Sequence, residues 1–247
     1  MSLTEINIRE KDFHNKLQSK KNERFQNIFY KAIDNSTEDF FTYLKNYAKN
    51  SIILDYGCGI GSFVKKVAEY NPKKIIGIDI SEVSIEKAKK NTKELKIDTD
   101  FKVENCEKTS FQDNIFDVIY GTGILHHLQI EKCLDEIFRI LKPGGNLLFI
   151  EPLGTNPIIN LYRRLTPKAR SIDEHPLVKK DFEYIERKFT NIEIKYYGFL
   201  TLVFFLFYRS PKNSKFFKIL SAGDQFLFKF KVFKFFAWSV LISAKKN

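Results

Sequence analysis

The chain has 247 residues, 43% of them apolar and 29% charged, a balance that supports a packed core and argues against disorder. Its three cysteines, Cys58, Cys106 and Cys133, are odd in number and lack a CxxC pair. They indicate neither a disulfide framework nor a zinc site, and they suit a reducing cytoplasm. No apolar run approaches the roughly 20 residues of a membrane span, and the N-terminal MSLTEINIREKDFHNK lacks the apolar segment of a secretion signal. The net charge of +11 is localised: residues 155–247 hold 18 Lys+Arg against 7 Asp+Glu, whereas residues 1–154 hold 23 of each. Such a field draws anionic partners, although lysines on a solvated face need none.

In chain order, residues 11–49 show helical spacing with one apolar stripe of Phe25, Ile28, Phe29, Ala32 and Ile33, which predicts helices that cap a domain. From Ser51, β-branched runs alternate with amphipathic helices. Strands are predicted at SIILDY, KKIIGIDI, DFKVENC, FDVIYG and NLLFIE, with helices at 62–70, 81–95 and 129–141, the pattern of crossover units feeding a parallel sheet. Ser81 is placed to cap one helix, Asn71-Pro72 closes another, and Lys142-Pro143-Gly144-Gly145 predicts a tight turn that stops a third. A helix is expected near 158–165 and another over 181–189. Two extended segments follow, at 191–199 and 237–246, with roughly 35 residues between them, long enough for a functional insertion.

The stretch ILDYGCGIGSF places Asp55, Gly57, Gly59 and Gly61 at alternate positions between a strand and a helix. Such a turn lets backbone approach a ligand closely at a helix N-terminus. A dinucleotide fingerprint reads GxGxxG; here the third glycine comes one residue early and an acid precedes the first. Asp55 disfavours a pyrophosphate and suits a ligand carrying an ammonium group. Asp79, at the end of the second strand, can accept both ribose hydroxyls.

These residues resemble the class I S-adenosylmethionine-dependent methyltransferases, whose first motif is this acid-x-Gly-x-Gly-x-Gly turn. The likeness recurs in order through Asn105-Cys106, FQDNIFDVIYGTGILHHL and LKPGGNLLFIEP, over roughly residues 50–155. It implies a seven-stranded, mostly parallel α/β Rossmann-like sheet with an antiparallel edge strand, an N-terminal helical cap and an insertion between the last two strands. The organisation expected is one domain over 1–247, with a cap at 1–50, a cofactor-binding core at 51–155 and an acceptor side at 156–247. The implied cofactor is S-adenosylmethionine, leaving as S-adenosylhomocysteine. Its site would comprise Asp55, Gly57, Cys58, Gly59, Asp79, Ile80, Asn105, Cys106 and Gly121. Asn105 stands where the family carries an acid; its side-chain oxygen would accept from the adenine amino group, and the Cys106 N–H would donate to the ring.

Transfer to a hydroxyl needs a group that removes its proton. His126 and His127 of LHHL follow the fourth strand, and the family often carries His at the second position, so His127 is the candidate base, with His175 as a second. His126, Tyr162 and Arg163 are candidate acceptor contacts, Arg163 with Arg164 as a fork for a carboxylate or phosphate. No metal is suggested. Residues 199–236 hold 12 of the 25 phenylalanines interleaved with lysines. They predict a lid over a lipid-like or natural-product acceptor, a contact with an anionic membrane, or the core of a small helical subdomain. The expected reaction is methyl transfer to a small molecule at oxygen, in the cytoplasm. The alternatives are an RNA or DNA methyltransferase, against which the absence of base-modifying motifs argues, and an inactive cofactor-binding protein. The sequence does not indicate an oligomeric state.

Overall fold

The computed structural model describes residues 3–19, 30–167, 171–208, 210–211 and 214–247. Phe25, Ile28 and Phe29 of the expected apolar stripe lie outside them. Among the described residues the helices are α1 (Glu5–Ser19), α2 (Asp34–Ala48), α3 (Val64–Ala68), α4 (Glu82–Thr92), α5 (Ile130–Ile140), α6 (Pro157–Leu165), α7 (Lys179–Lys188), α8 (Leu200–Val203), α9 (Lys215–Leu227) and α10 (Lys231–Lys234). The strands are β1 (Ile52–Tyr56), β2 (Lys74–Asp79), β3 (Thr99–Val103), β4 (Phe116–Thr122), β5 (Leu141–Pro152), β6 (Thr190–Tyr197) and β7 (Ser239–Lys245).

The strands form one seven-stranded sheet in the order β3-β2-β1-β4-β5-β7-β6. β1 pairs in parallel with both β2 and β4, so Asp55 stands opposite Gly77 on one side and Tyr120 on the other. The antiparallel strand is β7, one place in from the edge, where it pairs with β5 and with β6. Strand order reverses between β1 and β4, and ligands of open α/β sheets bind at the carboxyl ends of strands beside such a reversal.

Side-chain alternation divides the core. Leu54 and Tyr56 face a cluster with α5 and α7, while Ile53 and Cys58 face a second cluster with α2, α3 and α4. With both faces covered, the central strands read as continuous apolar runs. On α5, Ile130, Leu134 and Ile137 are buried as their spacing predicts, and Cys133 and Ile140 join them.

Helix ends follow local chemistry. The Ser81 hydroxyl accepts from the Ser84 N–H to cap α4, and the Asn156 side chain accepts from the Ile159 N–H ahead of Pro157, as N-caps do. Asn71 has φ 55°, the left-handed conformation that ends a helix. The expected tight turn at Lys142–Gly145 takes a different form. α5 ends at Ile140 and β5 begins at once, and the residues between Leu141 and Asn146 bulge opposite Phe116–Val118.

Candidate functional site

The ends of β1, β4 and β5 and the start of the antiparallel β7 meet at the carboxyl edge of the sheet. Beside them lies a cavity of about 610 Å³, walled by Thr122, Ile150, Pro152 and Ser239 from these strands and by aromatic side chains including Phe63 and Trp238. His126, His127, Tyr162 and Arg163 line it as well.

The glycine turn behaves differently at each glycine. A Cβ on Gly59, where φ is +52°, would meet no atom within 4 Å, whereas a Cβ on Gly57 would strike Ile124 and one on Gly61 would touch Ala88. Gly59 is therefore the position where backbone is bared toward open space, whereas Gly57 is required by packing and Gly61 by its φ of +73°. Gly121 also departs from expectation: its Cβ site is filled by Phe149, Ile124 and the Tyr56 carbonyl oxygen at 2.8 Å. Its small size lets β1, β4 and the following turn close together.

At the end of β2, the Asp79 carboxylate accepts from the Gly59 N–H at 2.9 Å and from the Ser81 N–H at 2.8 Å. It thus ties the glycine turn to the start of α4, with Ile80 half-buried between. Burial raises the Asp79 pKa against these hydrogen bonds. Asp55 lies beneath the turn, buried, where the Tyr120 hydroxyl donates to it at 2.9 Å. Burial pushes its pKa up to about 7, the Tyr120 hydrogen bond opposes the rise, and the charge of Asp79 adds to it. Cys58 is a buried thiol whose backbone N–H donates to the Ile78 carbonyl.

Asn105 departs from its expected geometry. Its Oδ1 accepts from the Glu107 N–H at 2.9 Å, and its Nδ2 donates to Asn7 on α1 at 3.1 Å. The amide therefore faces a helix. The neighbouring Cys106 is buried, and its carbonyl accepts from the Tyr56 hydroxyl.

α1 spans both halves of the site. Lys11 pairs with Glu82, and the Ser81 hydroxyl donates to Asn15, on the cofactor side. On the acceptor side, Arg9 forks onto Asp173 with two 2.8 Å hydrogen bonds, and the Ser171 hydroxyl donates to Glu10. A cap was expected from the sequence; its polar reach across both halves was not.

His126 and His127 lie on a 3-10 turn, Leu125–His127, with ring centroids 4.1 Å apart. Glu151, fully buried at the end of β5, accepts from the backbone N–H groups of Ile124 and Leu125 and holds His126 Nδ1 at 2.8 Å. Glu174 approaches His126 Nε2 at 3.2 Å. Burial lowers the His126 pKa, but the two carboxylates outweigh it and push the value up to about 9. His126 is a fixed imidazolium. Burial and that neighbouring charge lower the His127 pKa, against the opposing pull of Glu10. The His127 ring stands in the cavity wall, 3.1 Å from Glu10 through its Nδ1.

Two expectations change. The ring of His175 is exposed and outside the cavity; the residue contributes its backbone N–H, which donates to the His126 carbonyl at 2.8 Å. Arg163 lines the cavity, yet its Nη1 donates to the Leu153 carbonyl and to Asn160, so part of its fork is spent on holding α6. The aromatic stretch lines no part of the cavity among its described residues. Tyr208, Phe217 and Leu220 form a small core of its own, and Asp224 caps α8 by accepting from the N–H groups of Phe199, Leu200 and Thr201 and from the Thr201 hydroxyl. Sequence reasoning passed over Glu10 and His14, although their four-residue spacing on a helix was the available signal.

A glycine turn and an acid-ended second strand on a 3-2-1-4-5-7-6 sheet define the methyltransferase class. The chain belongs to the family described as "Methyltransferase domain", whose model matches residues 47–196. It is similar to phosphoethanolamine N-methyltransferase 3 of Arabidopsis thaliana, with 37% identity over 50% of this chain and 25% of that protein. It is also similar to sterol 24-C-methyltransferase ERG6 of Saccharomyces cerevisiae, with 28% identity over 55% of this chain and 35% of that one. The chain thus spans a quarter to about a third of these relatives. In fold it matches the crystal structure of geranyl diphosphate C-methyltransferase from Streptomyces coelicolor A3(2), with TM-score 0.69, 12% identity and full coverage of both chains.

Proposed function

We propose that this chain transfers a methyl group from S-adenosylmethionine to a small hydrophobic acceptor, at a hydroxyl oxygen, as a single domain. The observation that carries this reading is the Gly59 cradle with the Asp79 carboxylate beside it, opening at the same sheet edge as the 610 Å³ aromatic-walled cavity. Gly59 and Asp79 would hold the cofactor, with Gly57, Cys58, Ile80, Asn105 and Cys106 shaping the site from backbone and packing. Asp55 would sit within electrostatic range of its ammonium end. When bound, the cofactor supplies an activated methyl group. The chain's own tasks are to hold the acceptor in line, exclude water and take the acceptor's proton. His127, in the cavity wall, is the base; His126, Tyr162 and Arg163 contact the acceptor.

A hydrophobic acceptor fits the relatives whose names carry a sterol and geranyl diphosphate. It also fits the surface next to the cavity. Lys31 lines the cavity and donates to the Tyr208 carbonyl at 2.9 Å, joining its rim to the aromatic insertion. That insertion exposes Leu206 and Phe207 by about three-quarters, and it also exposes Lys215, Lys218, Lys229 and Lys231. Exposed apolar side chains on a segment that also exposes cations suit an anionic lipid surface, where such an acceptor resides. No helix among the described residues is long and apolar enough to cross a membrane.

Calorimetry with S-adenosylmethionine should show saturable binding by the wild type, lost at least tenfold in Asp79→Ala. Labelled methyl should then enter the organic-extractable fraction of a lipid extract, and the protein should float with phosphatidylglycerol vesicles in preference to phosphatidylcholine ones. Label appearing in RNA instead, or cofactor binding without transfer to any fraction, would replace this reading with one of its alternatives.

A further inference from the structure

Three donor atoms from segments far apart in the chain converge at the cavity wall. Glu10 and His14 stand one turn apart on α1, on a single face, and His127 meets them from the turn after β4. Glu10 Oε2 lies 3.1 Å from His127 Nδ1 and 3.6 Å from His14 Nε2, and the three residues each offer a donor atom within 4.8 Å of the other two. Glu10 is 4% exposed, and neither its Oε2 nor His127 Nδ1 makes an aligned hydrogen bond. The contact is a buried ion pair whose two facing atoms lack an aligned hydrogen bond, an arrangement that an ion seated between them would complete.

We propose that Glu10, His14 and His127 form a site for a divalent transition-metal ion, with its remaining coordination positions turned toward the cavity. A metal bonded to nitrogen and oxygen at about 2.0–2.1 Å in tetrahedral geometry spaces its donors by about 3.3–3.4 Å. The separations from Glu10 Oε2, 3.1 and 3.6 Å, lie on either side of that value. Two imidazoles and one carboxylate suit zinc, iron(II) or cobalt(II) over magnesium or calcium, which prefer all-oxygen shells. The Ser171 hydroxyl, donating to Glu10, aims the carboxylate as supporting groups around metal ligands do. His126 is excluded as a ligand because Glu151 and Glu174 already occupy its two ring nitrogens. The open positions would take an oxygen donor, a hydroxyl or carboxylate on a bound molecule. Resting on the methyl-transfer reading, this makes the metal the group that would acidify an acceptor hydroxyl, whose proton is released to bulk solvent as the acceptor binds and before water is excluded, and His127 acts as free base only when the metal is absent.

The test uses full-length protein stripped with chelator and titrated with Co2+, followed by visible d–d absorption, with Zn2+ as competitor. One equivalent should bind, Zn2+ should displace it, and His14→Asn and Glu10→Gln should each weaken binding at least tenfold. His14→Cys should restore binding with a new sulfur-to-cobalt charge-transfer band. His14 is about a quarter exposed, so its variants should keep the wild-type unfolding midpoint. His175→Ala, a surface histidine off the site, should bind as the wild type does. Lack of stoichiometric binding, or binding unmoved by His14→Asn, overturns the proposal. S-adenosylmethionine calorimetry on the same stripped protein distinguishes that failure from failure of the methyl-transfer reading, since Gly59 and Asp79, assigned to the cofactor, are not among the three ligands.

Discussion

Replacing His126 by Gln removes the imidazolium that Glu151 and Glu174 hold between them, 2.8 and 3.2 Å from its two ring nitrogens. Folding raises this histidine's pKa from the ordinary 6.5 to about 9, which at about 1.4 kcal/mol per pH unit corresponds to roughly 3 kcal/mol. Because the folded-state value is the higher one, that stability is fully present below pH 6.5 and is lost as pH climbs through 9. Urea unfolding of the wild type should therefore lose about 3 kcal/mol more across this window than His126→Gln does. In thermal scans that excess is roughly 6–12 °C for a protein of this size. The variant starts from a lower stability everywhere, so the difference in slope is the observable. Parallel pH profiles for the two proteins would refute the charge assignment.

Two further substitutions separate packing from binding. Gly59→Ala adds a Cβ into open space at a positive φ, so it should cost about 1–2 kcal/mol of stability while cutting S-adenosylmethionine affinity at least tenfold by calorimetry. Gly121→Ala puts a Cβ 2.8 Å from the Tyr56 carbonyl and should instead lower stability by about 1–3 kcal/mol or more; the opposite ranking would overturn both assignments. Asp224→Ala strips α8 of its buried cap, an expected loss of about 2 kcal/mol, visible as new protease cleavage near residues 199–208. Unchanged cleavage would mean that the insertion is held by its apolar core alone.

The sheet and its crossover helices were legible because each element announces itself locally. Val, Ile and Phe runs alternate with stripes such as Ile130, Leu134 and Ile137, and Ser81 marks a helix start. The glycine turn and Asp79 were legible for the same reason, since motif and structure are contiguous. What escaped depends on atoms brought together from far apart. Nothing near Asn105 says that Asn7 will meet its amide, and nothing near His126 says that Glu151 and Glu174 will charge it. At Gly57 and Gly121 the sequence did not reveal the packing demand, because a glycine required by a neighbouring side chain resembles one required by a ligand. His175 was misread because an attractive side chain hid the backbone N–H that does the holding. The phenylalanines of 199–236 were ambiguous in sequence because bulk beside charge describes a core, a lid and a lipid-facing surface alike.

The placement of β7 between β5 and β6 bears on how the molecule is made. Strands β1 to β5 and the glycine turn can assemble as they leave the ribosome, since each meets a neighbour already synthesised. β5 then waits with one flank bare, and β6 has nothing to join, until residues 239–245 arrive to bridge them. Assembly of the two sides of the cleft is thus staggered in time, and chaperones that shield naked strand edges would be needed most in that interval.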